Sequence, residues 1–325
     1  MLSVIHRFMS LSKSITLSHP SGITAIVHPL GATLRSLWVP DREGRMEKIL
    51  VGFDSEEAWL KNDPHFGCTI GRYANRIANG QFTLDGTVHQ VSQNQGNHHL
   101  HGGFNSFSKV IWETEILSDH AVRFSYHSPD DEEGFPGNLD ITVDYILGKN
   151  FLTWKATATT DRATPINLTC HPYFNLTGNP QQSILQHELQ IDAEKYLPVD
   201  PTLIPTGELR SVQETGFDFR SPTPIGKNLE TATTSFDHTF VIHSLPGRPS
   251  ARCFDPASGR IMELTTNQPG LQLYLASPFG YENSAFCLEP QKFPNSHNKP
   301  NFPNSILLPG ERYENFMTLR FPDAI

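Results

Sequence analysis

The chain has little that would build a disulfide scaffold, a metal ribbon or a membrane span. Its 325 residues include four cysteines, Cys68, Cys170, Cys253 and Cys287, far apart and without a C-x-x-C pair. That spacing speaks against a zinc ribbon or a thioredoxin-like motif. In a chain of this size the four read as reduced thiols in a reducing, cytoplasmic compartment. No apolar run approaches the ~20 residues of a membrane span, and there is no signal-peptide core. Lys and Arg form no block, and the formal net charge is -9; a nucleic-acid partner would need a basic stripe. Neither a Rossmann glycine fingerprint nor a P-loop occurs. Residues 1–40 lack Asp and Glu but carry Arg7, Lys13 and Arg35, a bias of the kind found in transit leaders. Ser14–Val27 already alternates like a strand, which leaves residues 1–13 as a short N-terminal extension.

What is present is period-two patterning from end to end. Ile23, Ala25 and Val27 alternate with polar residues, as do Leu139, Ile141, Val143, Tyr145 and Leu147, then Leu152, Trp154, Ala156 and Ala158, Leu271, Leu273 and Leu275, and Met317, Leu319 and Phe321. This alternation marks half-buried strands of antiparallel sheets. Asp85-Gly86 supplies a hairpin turn between Phe82 and Val88, and Pro256-Ala-Ser-Gly259 supplies another. Helical signal is sparse. Asp54-Ser-Glu-Glu57 ahead of Ala58-Trp-Leu60 reads as a short helix with Asp54 as N-cap and Glu57 reaching back. The fold class is all-β: a large antiparallel β-sandwich with few short helices, built as one domain over 14–325.

Four segments are too polar for ordinary strand filler. Gly71-Arg-Tyr-Ala-Asn-Arg-Ile-Ala-Asn-Gly-Gln-Phe82 sets Asn75 beside Arg76, a donor–acceptor amide next to a rigid donor fork, suited to hydroxyls and a ring oxygen. The bland alternative is a buried arginine on a structural carboxylate. Asn97-His-His-Leu-His-Gly-Gly103 invites a metal reading, but His98, His99 and His101 cannot all face one ion. A single inward histidine, with Gly102 and Gly103 letting the backbone approach a ligand, fits better. In Asn167-Leu-Thr-Cys-His-Pro-Tyr-Phe-Asn-Leu176, Pro172 holds His171 extended. Tyr173 is expected on the opposite face, and Cys170 points away from its neighbour. In Phe286-Cys-Leu-Glu-Pro-Gln-Lys-Phe-Pro-Asn295, Glu289 sits in apolar surroundings that raise a carboxyl pKa. A satisfied strand histidine and a structural ion pair are the alternatives for His171 and Glu289. Asp237 and Gln272 add side chains that bind vicinal hydroxyls.

Taken in order, these segments resemble the aldose 1-epimerase (galactose mutarotase) family. The likeness rests on Gly-Arg-x-Ala-Asn-Arg-Ile, Leu-His-Gly-Gly, His-x-Tyr-Phe-Asn-Leu and Leu-Glu-Pro-Gln, together with Gly31–Asp41, Pro205-Thr-Gly-Glu208 and Leu308–Tyr313. It implies a β-supersandwich with a sugar cleft, no cofactor and no metal. It implies His171 as acid and Glu289 as base, with Asn75, Arg76, His101, Asp237 and Gln272 binding a small sugar and Tyr173 close by. A monomer or homodimer is expected.

The implied reaction is anomer interconversion of free aldohexoses such as glucose or galactose. Glu289 takes the C1 hydroxyl proton, His171 gives one to the ring oxygen, the open aldehyde rotates, and the steps reverse. That scheme expects His171 charged and Glu289 unprotonated at rest. Arg76 and His101 stabilise charge at the ring oxygen. A hexose 6-phosphate epimerase would need added basic residues, a glycosidase a second carboxylate such as Asp237, and a non-catalytic sugar-binding module would drop the acid or base. Pro172 stands where Ser or Thr is usual, His98 where Asn is frequent, and Leu275-Ala276-Ser277 where many members have Thr-Gly-Asn. These departures bear on sugar preference.

Overall fold

The computed structural model describes residues 13–325 apart from 21, 233 and 244–246. The expected extension over 1–13 falls, except for Lys13, outside the described residues. Strand alternation is realised as three main antiparallel sheets. The largest has nine strands, in the order Glu113–Ser118, Ala121–Ser128, Leu139–Leu147, Phe151–Thr160, Tyr313–Arg320, Ile261–Thr266, Ala251–Phe254, Glu188–Ile191 and Thr223–Pro224. A five-stranded sheet runs Arg210–Ser211, Ala193–Tyr196, Asp237–Ile242, Gly270–Ala276 and Ala285–Gln291. A four-stranded sheet is formed by Ile15–Ser18, Thr24–His28, Thr33–Pro40 and Met46–Lys48.

All three sheets turn their apolar sides into one core. Val122, Phe124, Val143, Tyr145 and Trp154 come from the large sheet, Phe240, Leu271, Leu273 and Leu288 from the second, and Leu17, Val27 and Leu37 from the third. A side chain of this size contributes roughly 1.5–3 kcal/mol on full burial. Polar ties cross the layers where backbone would otherwise be orphaned. Asn315 Nδ2 donates to the carbonyls of Leu168 and Pro290 at 2.7 and 2.9 Å, joining the nine-stranded sheet to the strand that carries Glu289.

Two local expectations shift. The alternating stretch from Ser14 to Val27 is two strands rather than one, with Ile15 paired to Val27 and Ser18 to Thr24. The helix Glu56–Lys61 is capped by Ser55, whose Oγ accepts from the Ala58 N–H at 3.3 Å, instead of by Asp54. Both residues are good caps, and the backbone turns one position later. The Asp85-Gly86 hairpin forms as expected, with φ of 50° and 75°. Pro256–Gly259 likewise joins two paired strands. Among the described residues the α-helices are Glu56–Lys61 and Ile225–Thr231, and none is long and apolar enough to cross a membrane.

Candidate active site

Three neighbouring strands of the five-stranded sheet build the floor of the site. Their register sets Asp237 opposite Tyr274 and Tyr274 opposite Cys287; one step along, Thr239 faces Gln272 and Gln272 faces Glu289. Period two puts these side chains on one face, while Phe240, Leu271, Leu273, Phe286 and Leu288 take the core side. The floor is therefore a polar patch printed on otherwise apolar strands. Thr239 Oγ1 donates to Gln272 Oε1, which turns the Gln272 amide so that its Nε2 donates to Asp237 Oδ1 at 2.6 Å.

Loops from the opposite side complete the site. His171 is pinned through its backbone: its N–H donates to Cys68 O at 3.0 Å and its carbonyl accepts from Gly67 N at 2.9 Å. Gly67 has φ 65°, and a Cβ there would stand 1.9 Å from Leu34 O, so only glycine permits this approach. The imidazole Nε2 then lies 3.5 Å from Glu289 Oε1. Cys170 turns away toward the Tyr145 hydroxyl and Gly67 O, as strand alternation requires. Tyr173 does not take the opposite face. Residues two apart return to the same side of an extended chain, and its ring stacks on His171 at 5.0 Å and 19°. Its hydroxyl donates to Pro64 O at 2.8 Å.

The Asn75-Arg76 segment divides its two arginines by role. Arg72 is the structural one, fully buried and donating to Ser128, Pro136, Gly137 and Thr164. Arg76 faces the site, with Nη1 3.8 Å from Asp237 Oδ2 and Nε donating to Gln95 Oε1 at 2.7 Å. Asn75 adopts φ 62°, its Oδ1 accepts the Arg76 N–H, and its own N–H donates to His101 Nδ1 at 3.2 Å. Because Nδ1 accepts, the neutral His101 ring carries its proton on Nε2. That ring meets those of His171 and His65, each at 5.5 Å between centroids.

The three histidines near 100 do separate. His98 Nδ1 accepts from Asn79, His99 bonds Ser92, and His101 enters the site. The role expected of Gly102 and Gly103 is corrected. A Cβ on Gly102 would strike Gly71 O and one on Gly103 the Glu133 carboxylate, so the close approach is to protein.

All eight residues singled out in the sequence thus meet: Asn75, Arg76, His101, His171, Tyr173, Asp237, Gln272 and Glu289. Sequence reasoning missed Thr239, which orients Gln272, Gln95, which holds Arg76, and His65 and Cys287, which border the pair. Two-residue steps from Asp237 and Glu289 would have found Thr239 and Cys287. A cavity of about 570 Å³, lined in part by Phe53, Phe66, Phe279, Tyr173 and Tyr274, adjoins the pair through its tyrosines rather than containing it.

Burial governs the electrostatics. It pushes the Glu289 carboxyl well above the ordinary carboxylate value, with Asp237 adding to the rise and Arg76 opposing it. Burial, then His65, holds His171 down to about 3. Burial first, with His65, His171 and Arg76 adding, keeps His101 well below its usual value. Both shifts run against the expected charged histidine beside a carboxylate. Burial disfavours the ion on each group.

The all-β sandwich thus buries His171 and Glu289 side by side among Asn75, Arg76, His101, Asp237 and Gln272, and the proteins it is similar to make it a carbohydrate isomerase. The family described as aldose 1-epimerase matches residues 13–320. Galactose mutarotase of Bos taurus is 44% identical over 307 residues, covering 90% of each chain. Aldose 1-epimerase of Escherichia coli K12 is 35% identical over 327 residues, covering 94% of each. The crystal structure of an aldose epimerase homologue from C. elegans superimposes with a TM-score of 0.91 at 32% identity, covering 97% of this chain and all of that one. The chain belongs to the aldose 1-epimerase family.

Proposed function

We propose that the protein interconverts the α and β anomers of free aldohexoses such as glucose or galactose, with Glu289 and His171 moving the protons. The observation that carries this is the 3.5 Å His171–Glu289 pair in a buried floor, with side chains 6% and 3% exposed. Around it stand Asn75, Arg76, His101, Asp237 and Gln272, which suit the hydroxyls and ring oxygen of a sugar, with Tyr173 stacked on His171. Opening a hemiacetal ring needs one proton removed from O1 and one delivered to the ring oxygen. A pair that holds one proton between its members can do both without an outside donor.

Glu289 acts as base toward O1–H and His171 as acid toward the ring oxygen. The neutral pair and the ion pair differ only in which member carries the single proton. A bound sugar favours the ion pair, since O1–H donates to the carboxylate and the ring oxygen accepts from the imidazolium. The Nε2–H of His101 and the Arg76 fork stabilise charge as it develops at the ring oxygen. Rotation about C1–C2 and the reverse steps give the other anomer. Four free, buried cysteines fit a cytoplasmic setting, where the enzyme works as a monomer or homodimer.

The test is polarimetry on freshly dissolved α-D-glucose and α-D-galactose, with glucose 6-phosphate alongside. Acceleration of the free sugars in the presence of chelator supports the reading. Acceleration of the phosphate alone, or of none, overturns it.

A further inference from the structure

Cys287 and Glu289 stand two residues apart on one face of the strand Ala285–Gln291. With His171 they bring an imidazole nitrogen, a thiol sulfur and a carboxylate oxygen within 4.8 Å of one another. All three side chains are buried, Cys287 completely, and proton transfer to and from a sugar makes no use of the thiol. Nitrogen, sulfur and oxygen donors in one cluster are what zinc takes up in proteins. We propose that His171, Cys287 and Glu289 form an inhibitory site for a borderline-soft divalent cation, Zn²⁺ or Cd²⁺, which silences the enzyme by ligating the acid and the base.

Chemistry and geometry both favour this. One thiolate and one carboxylate neutralise a divalent charge, and the displaced protons pass to solvent. A thiolate selects zinc or cadmium over the hard cations Mg²⁺ and Ca²⁺. Tetrahedral zinc would hold such donors roughly 3.3–3.8 Å apart. The His171–Glu289 separation is already 3.5 Å, so a small swing of the thiol closes the set. Three protein ligands leave a fourth position for water on the sugar side. The other cysteines have different neighbours: Cys68 contacts Thr33 and Asn62, and Cys170 contacts Tyr145.

The inhibitory consequence rests on the proposed acid–base roles; cation binding itself does not. The full-length protein is therefore titrated with CdCl₂ while the ultraviolet thiolate-to-cadmium absorbance is followed. Mutarotation is measured separately against ZnCl₂ and MgCl₂. The absorbance band is expected in the native protein and absent from Cys287→Ala and Cys287→Ser. Zn²⁺ should inhibit reversibly on adding EDTA, Mg²⁺ should not, and loss of the thiol should raise the inhibitory zinc concentration at least about tenfold, each variant being read against its own zinc-free rate. Equal inhibition of native protein and both variants, or no band in the native protein, would overturn the site. A band without any mutarotase activity would instead sink only the proposed reaction.

Discussion

His171 Nε2 and Glu289 Oε1 lie 3.5 Å apart between two side chains almost sealed from water. In the proposed reaction this pair takes one proton from O1 and delivers one to the ring oxygen. Glu289→Gln keeps the shape and removes the proposed base. Its mutarotation rate should fall by about 10²–10⁴-fold, the usual worth of a positioned acid or base, with the melting temperature little changed. Polarimetry and a circular-dichroism melt on one preparation decide it, and a fully active variant sinks the assignment of Glu289.

The opposed shifts of the pair also set the pH profile expected of the proposed reaction. Below the His171 value of about 3 both members are protonated and no base remains. Above the raised Glu289 value both are deprotonated and no acid remains. The active one-proton form fills the interval between, and both limits belong to the pair rather than to either residue. Lowering the pH through 4.5, the ordinary carboxylate value, should therefore leave kcat/KM nearly level, with loss setting in only toward about 3. A profile whose acid limb is centred on 4.5 would show that Glu289 ionises as a solvated group.

How much of this was legible in the sequence depends on range. The strands were legible because alternation is local, and the sheet class followed. The eight site residues were legible through motif order, although each alone had a bland reading. The Arg72–Arg76 division was not, because both sit in one polar segment and only the distant carbonyls of Pro136 and Gly137 show which is structural. The protonation order was not legible either. Phe286-Cys-Leu-Glu-Pro shows that Glu289 is in apolar company, but the depression of His171 comes first from burial by distant segments and then from His65, a residue 106 positions away in the chain. Long-range burial, rather than local pattern, carries that information.

Asp237 touches the proposed binding groups directly and Glu289 only through its charge. Its Oδ1 accepts from Gln272 and its Oδ2 lies near Arg76. Asp237→Asn leaves His171 and Glu289 in place but frees both partners to turn. Hydrogen bonds to a charged group contribute about 1.5–3 kcal/mol, so kcat/KM should fall about 10–100-fold, mostly through KM. Rates measured over a range of galactose concentrations separate the two constants. A loss confined to kcat would place Asp237 in the chemistry instead.

The last consequence concerns folding. His65, His99 and His187 are held down to about 4, and His297 to about 3, each chiefly by burial. In the unfolded chain each titrates near 6.5. Below 6.5 the unfolded state takes up protons that the folded state refuses, so stability falls as pH falls and recovers as pH rises through the same range. The melting temperature should therefore drop steadily from about pH 7 to about pH 4.5. His297 isolates the effect. Its ring packs edge-on to Tyr73 and Phe82 at 5.0 and 5.2 Å, and neither ring nitrogen has a hydrogen-bond partner among the described residues. His297→Phe fills the same aromatic niche with a side chain that cannot be protonated. The variant should lose less melting temperature over that pH interval than the native protein does. Parallel curves for the two would mean that His297 binds its proton equally well folded and unfolded, and that the acid sensitivity arises elsewhere.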